Sequence, residues 1–95
     1  MDFSGKVSVE KNGRSGSVHV AIDGRRLRFY WEYGGGDRIA MLAVPTEAEW
    51  SVLDPRREFG RGSFLAGLAR EIARHECPHA TIEIAPEAVY FLEPS

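Results

Sequence analysis

Residues 6–33 read KVSVEKNGRSGSVHVAIDGRRLRFYWEY, three alternating runs separated by Asn12-Gly13 and Asp23-Gly24. Val7 and Val9 alternate with Lys6, Ser8 and Glu10, the period of two that marks a strand with one wet face. Asn-Gly readily supplies the two positive-φ positions of a type I′ turn, which would pair Lys11 with Arg14, Val9 with Gly16 and Val7 with Val18, and bring Phe3 opposite Ile22. Asp23-Gly24, read the same way, places Val20 opposite Leu27, Val18 opposite Phe29 and Gly16 opposite Trp31. Both registers put the apolar side chains on one face. A slip of one residue would turn a strand's whole apolar set outward, so their agreement is informative.

The pattern continues in both directions along the chain. Gly34-Gly35-Gly36-Asp37 connects Tyr33 to Arg38, and a four-residue connection would set Phe29 opposite Leu42, Trp31 opposite Ala40 and Leu27 opposite Val44. Four antiparallel strands in a meander result. Beyond Pro45 the period changes: Thr46-Glu47-Ala48-Glu49 has the spacing of a capping box, predicting a short helix to about Leu53. Asp54-Pro55 offers a second N-cap, with one or two turns before Gly60 and Gly62 interrupt. Ser63 then predicts the cap of the main helix, Phe64 to about Glu76, whose stripe is Phe64, Leu65, Leu68, Ala69 and Ile72, with Ala66, Arg70, Ala73 and Arg74 opposite. Pro78 ends it. Strands at Thr81–Ala85 and Ala88–Leu92, turning at Pro86-Glu87, pair Ile84 with Val89 and Ile82 with Phe91. The expected fold is therefore a single α+β domain over residues 1–95: a four-stranded antiparallel meander, one short and one main helix packed on one face, and a C-terminal β-hairpin.

Composition narrows the function. The chain has 95 residues, 43% hydrophobic and 27% charged, with 12 basic against 14 acidic side chains and a net charge of −2. A domain of this size buries about 60–65% of its unfolded surface, enough for one core but little room for a deep catalytic cleft. No overall positive field gathers nucleic acid or an anionic membrane surface. No basic start followed by an apolar run marks a secretory signal, no stretch has membrane-spanning length, and the lone Cys77 suits a reducing compartment, so the expectation is a cytoplasmic protein without a membrane.

Three groups of residues invite a chemical reading. His75, Cys77 and His79 alternate at the end of the main helix and carry good zinc donors, but predictive zinc motifs come as paired elements, and His19 is distant. A thiol enzyme at Cys77 meets the wrong end of the helix dipole for a thiolate. No metal and no cofactor are expected. Gly34-Gly35-Gly36 joins two strands rather than opening a helix, which disfavours a phosphate cradle. Arg25, Arg26, Arg28, Tyr30 and Tyr33 have the ingredients of a small nucleic-acid-binding face, yet the register sends Leu27, Phe29 and Trp31 inward. Arg26, Arg28 and Tyr30 are left outside beside Lys6, His19 and Arg38, with Glu10, Glu32 and Glu83 as the acidic candidates for the same face.

On that outer face the third register sets Tyr30 opposite Met41, Ile39 opposite Glu32 and Ala43 opposite Arg28. Aromatic, Met and Arg side chains are enriched in protein interfaces, so Arg26, Arg28, Tyr30, Glu32, Arg38, Ile39 and Met41 are the candidate partner-binding residues. The C-terminal hairpin or another chain would cover them. Trp50, at the fourth helical position, is read as packing against Val44 or Pro45.

The hairpin ending at Val44-Pro45, Trp50 followed by Asp54-Pro55, the Arg-bearing helix through Ile72 and the strand Thr81–Ala85 resemble small bacterial immunity proteins of polymorphic toxin systems. The resemblance covers about the last two-thirds of the chain and rests on the order of elements. It implies a non-catalytic cytoplasmic protein-binding module that inhibits a cognate toxin, and it transfers no site residues. The expected partner is another protein, a toxin or a second copy of the same chain. The alternatives are nucleic-acid binding through the Arg and Tyr residues of the open sheet face, and a metal or thiol enzyme around His75-Cys77-His79.

Overall fold

The computed structural model describes residues 5–34, 38–56 and 59–94. In chain order the elements are β1 (Lys6–Asn12), β2 (Ser15–Ile22), β3 (Arg25–Tyr33), β4 (Arg38–Ala43), α1 (Glu47–Leu53), α2 (Arg61–Glu76), β5 (Thr81–Ile84) and β6 (Ala88–Leu92). The α+β class is as expected, but the strands form one six-stranded antiparallel sheet in the order β1-β2-β3-β4-β6-β5. The C-terminal hairpin is thus not a separate layer. It joins the free edge of β4, where β6 pairs Met41 with Tyr90 and Leu42 with Val89, satisfying backbone groups that a four-stranded meander would leave open.

The expected pairings hold at two turns and shift at two. Asp23 and Gly24 both take positive φ, the type I′ pattern, and set Val18 opposite Phe29 and Val20 opposite Leu27 as expected. The β5–β6 pairing of Ile82 with Phe91 and Ile84 with Val89 also holds. At the first hairpin Gly13 has φ 69°, while Asn12 and Arg14 avoid positive φ, so the loop is Gly13-Arg14, with Asn12 opposite Ser15. A turn with one positive-φ position gives it to the residue without a Cβ, which slides the turn by one residue. Val9 then meets Val18 and Val7 meets Val20, in place of Gly16 and Val18. Phe3, paired with Ile22 in the sequence reading, lies outside the described residues.

Between β3 and β4 the pairs are Trp31 with Leu42, Glu32 with Met41 and Tyr33 with Ala40, and the Gly34 N–H extends the ladder to the Ile39 carbonyl at 3.0 Å. This extra rung displaces the expected pairing of Phe29 with Leu42. Most of the connecting loop, residues 35–37, lies outside the described residues. Both slips change the pairing by an even number of positions, so each side chain keeps its face.

The inner face and both helices share one core. Trp31, Leu42, Val89 and Phe91 are fully buried with Leu65, Leu68 and Ile72 of α2. Ala73, assigned to the polar side of α2, is buried as well, and Ala66 is half-buried, so the apolar stripe is wider than its largest residues suggest. The capping box of α1 is present: Glu49 N–H donates to Thr46 Oγ1 at 3.3 Å and Thr46 N–H to Glu49 Oε1 at 2.9 Å. Among the described residues no helix opens at Asp54, and residues 57–58 of the expected turns lie outside them. Asp54 closes α1 as its C-cap and, buried, accepts the Phe59 N–H at 2.9 Å, a use of the carboxylate that competes with N-capping. Ser63 is likewise no cap, because α2 begins at Arg61 behind Gly60. Arg61 donates to the carbonyls of Pro45 at 2.8 Å and Pro86 at 2.7 Å, fastening the start of α2 to two connections. Trp50 is buried against Phe64 at 5.0 Å and donates to the Phe59 carbonyl at 3.0 Å, so it is a core residue.

Candidate functional site

With α1 and α2 on the inner face, no described element crosses the outer one. Its middle is a cross-strand row read directly from the ladders: Glu32 beside Met41, Met41 beside Tyr90, Tyr90 beside Glu83. Tyr30, 49% exposed, stands two residues before Glu32 on the same face and donates from its hydroxyl to Glu32 Oε2 at 3.2 Å. The Arg38 guanidinium lies 4.4 Å over the Tyr90 ring, a cation–π contact that holds both side chains in place. Arg28 Nε donates to Ser17 Oγ at 3.0 Å across the β2–β3 pair, which covers Ser17 and fixes the arginine stem. Toward the start of β3 the outer face carries Arg26 and Arg28 near Lys6 and His19, and His19 Nε2 lies 3.7 Å from Glu10 Oε2.

The seven sequence-derived residues mostly meet here. Arg26, Arg28, Tyr30, Glu32 and Arg38 are exposed, and Met41 is half-buried among them. Met41 stands opposite Glu32 instead of Tyr30, the consequence of the extra rung. Ile39 is the residue left over where the β4–β6 ladder steps from Arg38–Leu92 to Ala40–Phe91, a bulge that lets it pack partly against the core. Glu83 is on this face. Tyr90 was missed by the sequence reading, although the inward pairing of Val89 and Phe91 already points it outward; its place beside Met41 required the β4–β6 junction.

The helix-end cluster separates. His75 Nε2 lies 3.3 Å from Glu71 Oε1, and the Arg74 hydrogen bond, with His75 adding to it, holds the Glu71 carboxylate below its usual range. Cys77 is buried as the C-cap of α2, and burial, followed by the charge of Glu76, pushes its thiol up. Among the described residues no group of three His, Cys, Asp or Glu side chains is placed to hold a metal ion. Alkylation of Cys77 by iodoacetamide at pH 8 should be slower in the folded protein than in urea, because the thiolate is both disfavoured and shielded. A faster rate in the folded protein would contradict this placement.

No helix of the described residues is long and apolar enough to cross a membrane. Comparisons with protein-family models, curated proteins and solved structures give no match.

Proposed function

We propose that the protein is a non-catalytic binding module that grips another protein across its outer sheet face, acting as an immunity-type inhibitor that neutralises a cognate toxin by covering it. One observation carries this reading: Tyr30, Met41 and Tyr90 lie together on a sheet face that no described element covers, rimmed by Arg28, Arg38, Glu32 and Glu83. Aromatic and Met side chains at the centre with a charged rim are the composition of interface hot spots. Arg28, Glu32 and Arg38 of the rim are already held by hydrogen bonds and stacking, so little ordering of these side chains is required on contact. A mechanism of this kind needs no bond chemistry. It blocks its target by occupancy.

Two hot-spot truncations of about 2 kcal/mol each weaken a complex by about a thousandfold. The double variant Tyr30→Ala and Met41→Ala should therefore abolish retention of the partner in affinity purification from the source cell, while thermal unfolding moves little, because neither side chain is in the core. Loss of folding would place both residues in the core and defeat the proposal, as would a partner retained unchanged. Sedimentation of the purified protein separates the two kinds of partner: a dimer dissolved by the same pair of substitutions would assign the face to a second copy of the chain.

A further inference from the structure

The sheet is incomplete along one of its interior strands. β3 pairs with β2 over Arg25 to Glu32, but with β4 only from Trp31 to Tyr33. After Ala43 the chain leaves β3: the Val44 N–H bonds to the Glu87 carbonyl at 3.1 Å, and α1 begins soon after, behind its cap Thr46. The gap is a groove of about 420 Å³ with the consecutive residues 26–30 on one wall and Val44, Pro45 and Leu53 among those on the other. Consecutive residues of a strand point to opposite faces, so a groove they line together runs along the edge of the strand.

Strand parity shows which backbone groups face it. Tyr33 N–H bonds to the Arg14 carbonyl on the β2 side and Gly34 N–H to the Ile39 carbonyl on the β4 side. The N–H and C=O of Arg26 and Arg28 therefore point toward β4, into the groove, and no described ladder pairs them there. The walls differ in chemistry. Arg26 and Arg28 have no carboxylate within ion-pair distance among the described residues, and Lys6 stands near them. Leu53 opposite is 46% exposed. Glu49, which also lines the groove, is engaged by the Thr46 backbone and hydroxyl, which hold its carboxylate below the usual range.

We propose that an extended acidic segment of the partner protein adds as a strand to the open edge of β3 at Arg26 and Arg28. Its backbone completes the ladder, its acidic side chains meet the two arginines, and its alternate apolar side chains rest on Leu53 and Leu27. The inference rests on the protein-binding reading above and names the chemistry of the partner. A nucleic acid would answer the arginines but has no amide ladder to offer.

The test uses the full chain and a fluorescein-labelled octapeptide alternating Glu and Val, titrated by fluorescence polarisation at low salt. The expected result is saturable binding, absent for the Lys-Val counterpart, and weakened at least about tenfold by N-methylation of the peptide amides on one edge. The double variant Arg26→Glu and Arg28→Glu, both at exposed positions, should lose binding while melting normally, and the Arg26 and Arg28 amides of the wild type should gain protection from exchange when the peptide is bound. No saturable binding, indifference to N-methylation, or displacement of the peptide by a thymidine oligonucleotide without amide protection would overturn the inference. If the peptide fails while the Tyr30 and Met41 variant still loses its partner, the inference falls and the binding reading stands. If the peptide binds but partner capture ignores Tyr30 and Met41, the reverse holds.

Discussion

Replacing Trp31 by alanine should cost about 3–5 kcal/mol of folding stability, a large share of the about 5–14 kcal/mol expected for a domain of this length. The side chain is fully buried and meets Phe91 at 5.3 Å and Tyr33 at 5.6 Å, both edge-on. It stands at the crossing of three strands, opposite Gly16 on one side and Leu42 on the other, so no neighbour closes the void without moving a ladder. Its Nε1–H is buried without a hydrogen-bond acceptor among the described residues, an arrangement that costs desolvation energy. Trp31→Phe removes that orphan donor together with part of the ring and should therefore cost much less than Trp31→Ala. Urea unfolding of the two variants measures both numbers. Similar losses for Phe and Ala would show that ring volume is not what the site requires.

The second large effect is expected at Gly16. A Cβ there would collide with the Glu10 carbonyl oxygen and stand 3.2 Å from the Lys11 Cα, both backbone atoms of β1. Neither can swing aside as a side-chain tip could, so Gly16→Ala must push β1 away from β2. β1 contributes Val7 and Val9 to the edge of the core, and Lys11 Nζ lies 3.1 Å from Glu76 Oε1 at the end of α2. Overpacking of this kind costs about 1–3 kcal/mol, and here the loss should concentrate in one strand. Hydrogen exchange should accelerate across Lys6–Asn12 and leave β5 and β6 nearly unchanged. Uniform acceleration through the sheet would mean that β1 is not a separable edge. Gly13 differs: a Cβ there meets nothing within 4 Å, and only its positive φ opposes substitution.

How much of this was legible in the sequence depends on the kind of signal involved. Asp23-Gly24 determined a register because both residues tolerate positive φ, and the turn they form has only one way to place two such residues. Asn12-Gly13 did not, because a single positive φ sufficed and glycine took it. The error did no harm to the face assignments, since turn slips that move the pairing by an even number leave inward residues inward. The same robustness put Tyr30, Met41 and the outer arginines on the right face although the pairing of Tyr30 with Met41 was wrong. Pairings between strands distant in sequence left no local trace. Nothing in Ala88–Leu92 says that it lies beside β4, so the six-stranded sheet and the place of Tyr90 beside Met41 appeared only in three dimensions. The β3–β4 groove was hidden for the same reason: a continuous alternating pattern through Arg25–Tyr33 does not reveal that the neighbouring strand departs partway along.

The central claim is that the sheet face bearing Tyr30, Met41 and Tyr90, opposite the helices, is where the protein meets its partner. Placing the photocrosslinking residue p-benzoylphenylalanine at position 30, and separately at position 70 on the exposed side of α2, tests this in the source cell. The account predicts a covalent adduct with another protein from position 30 and none from position 70. An adduct from position 70 alone would contradict it.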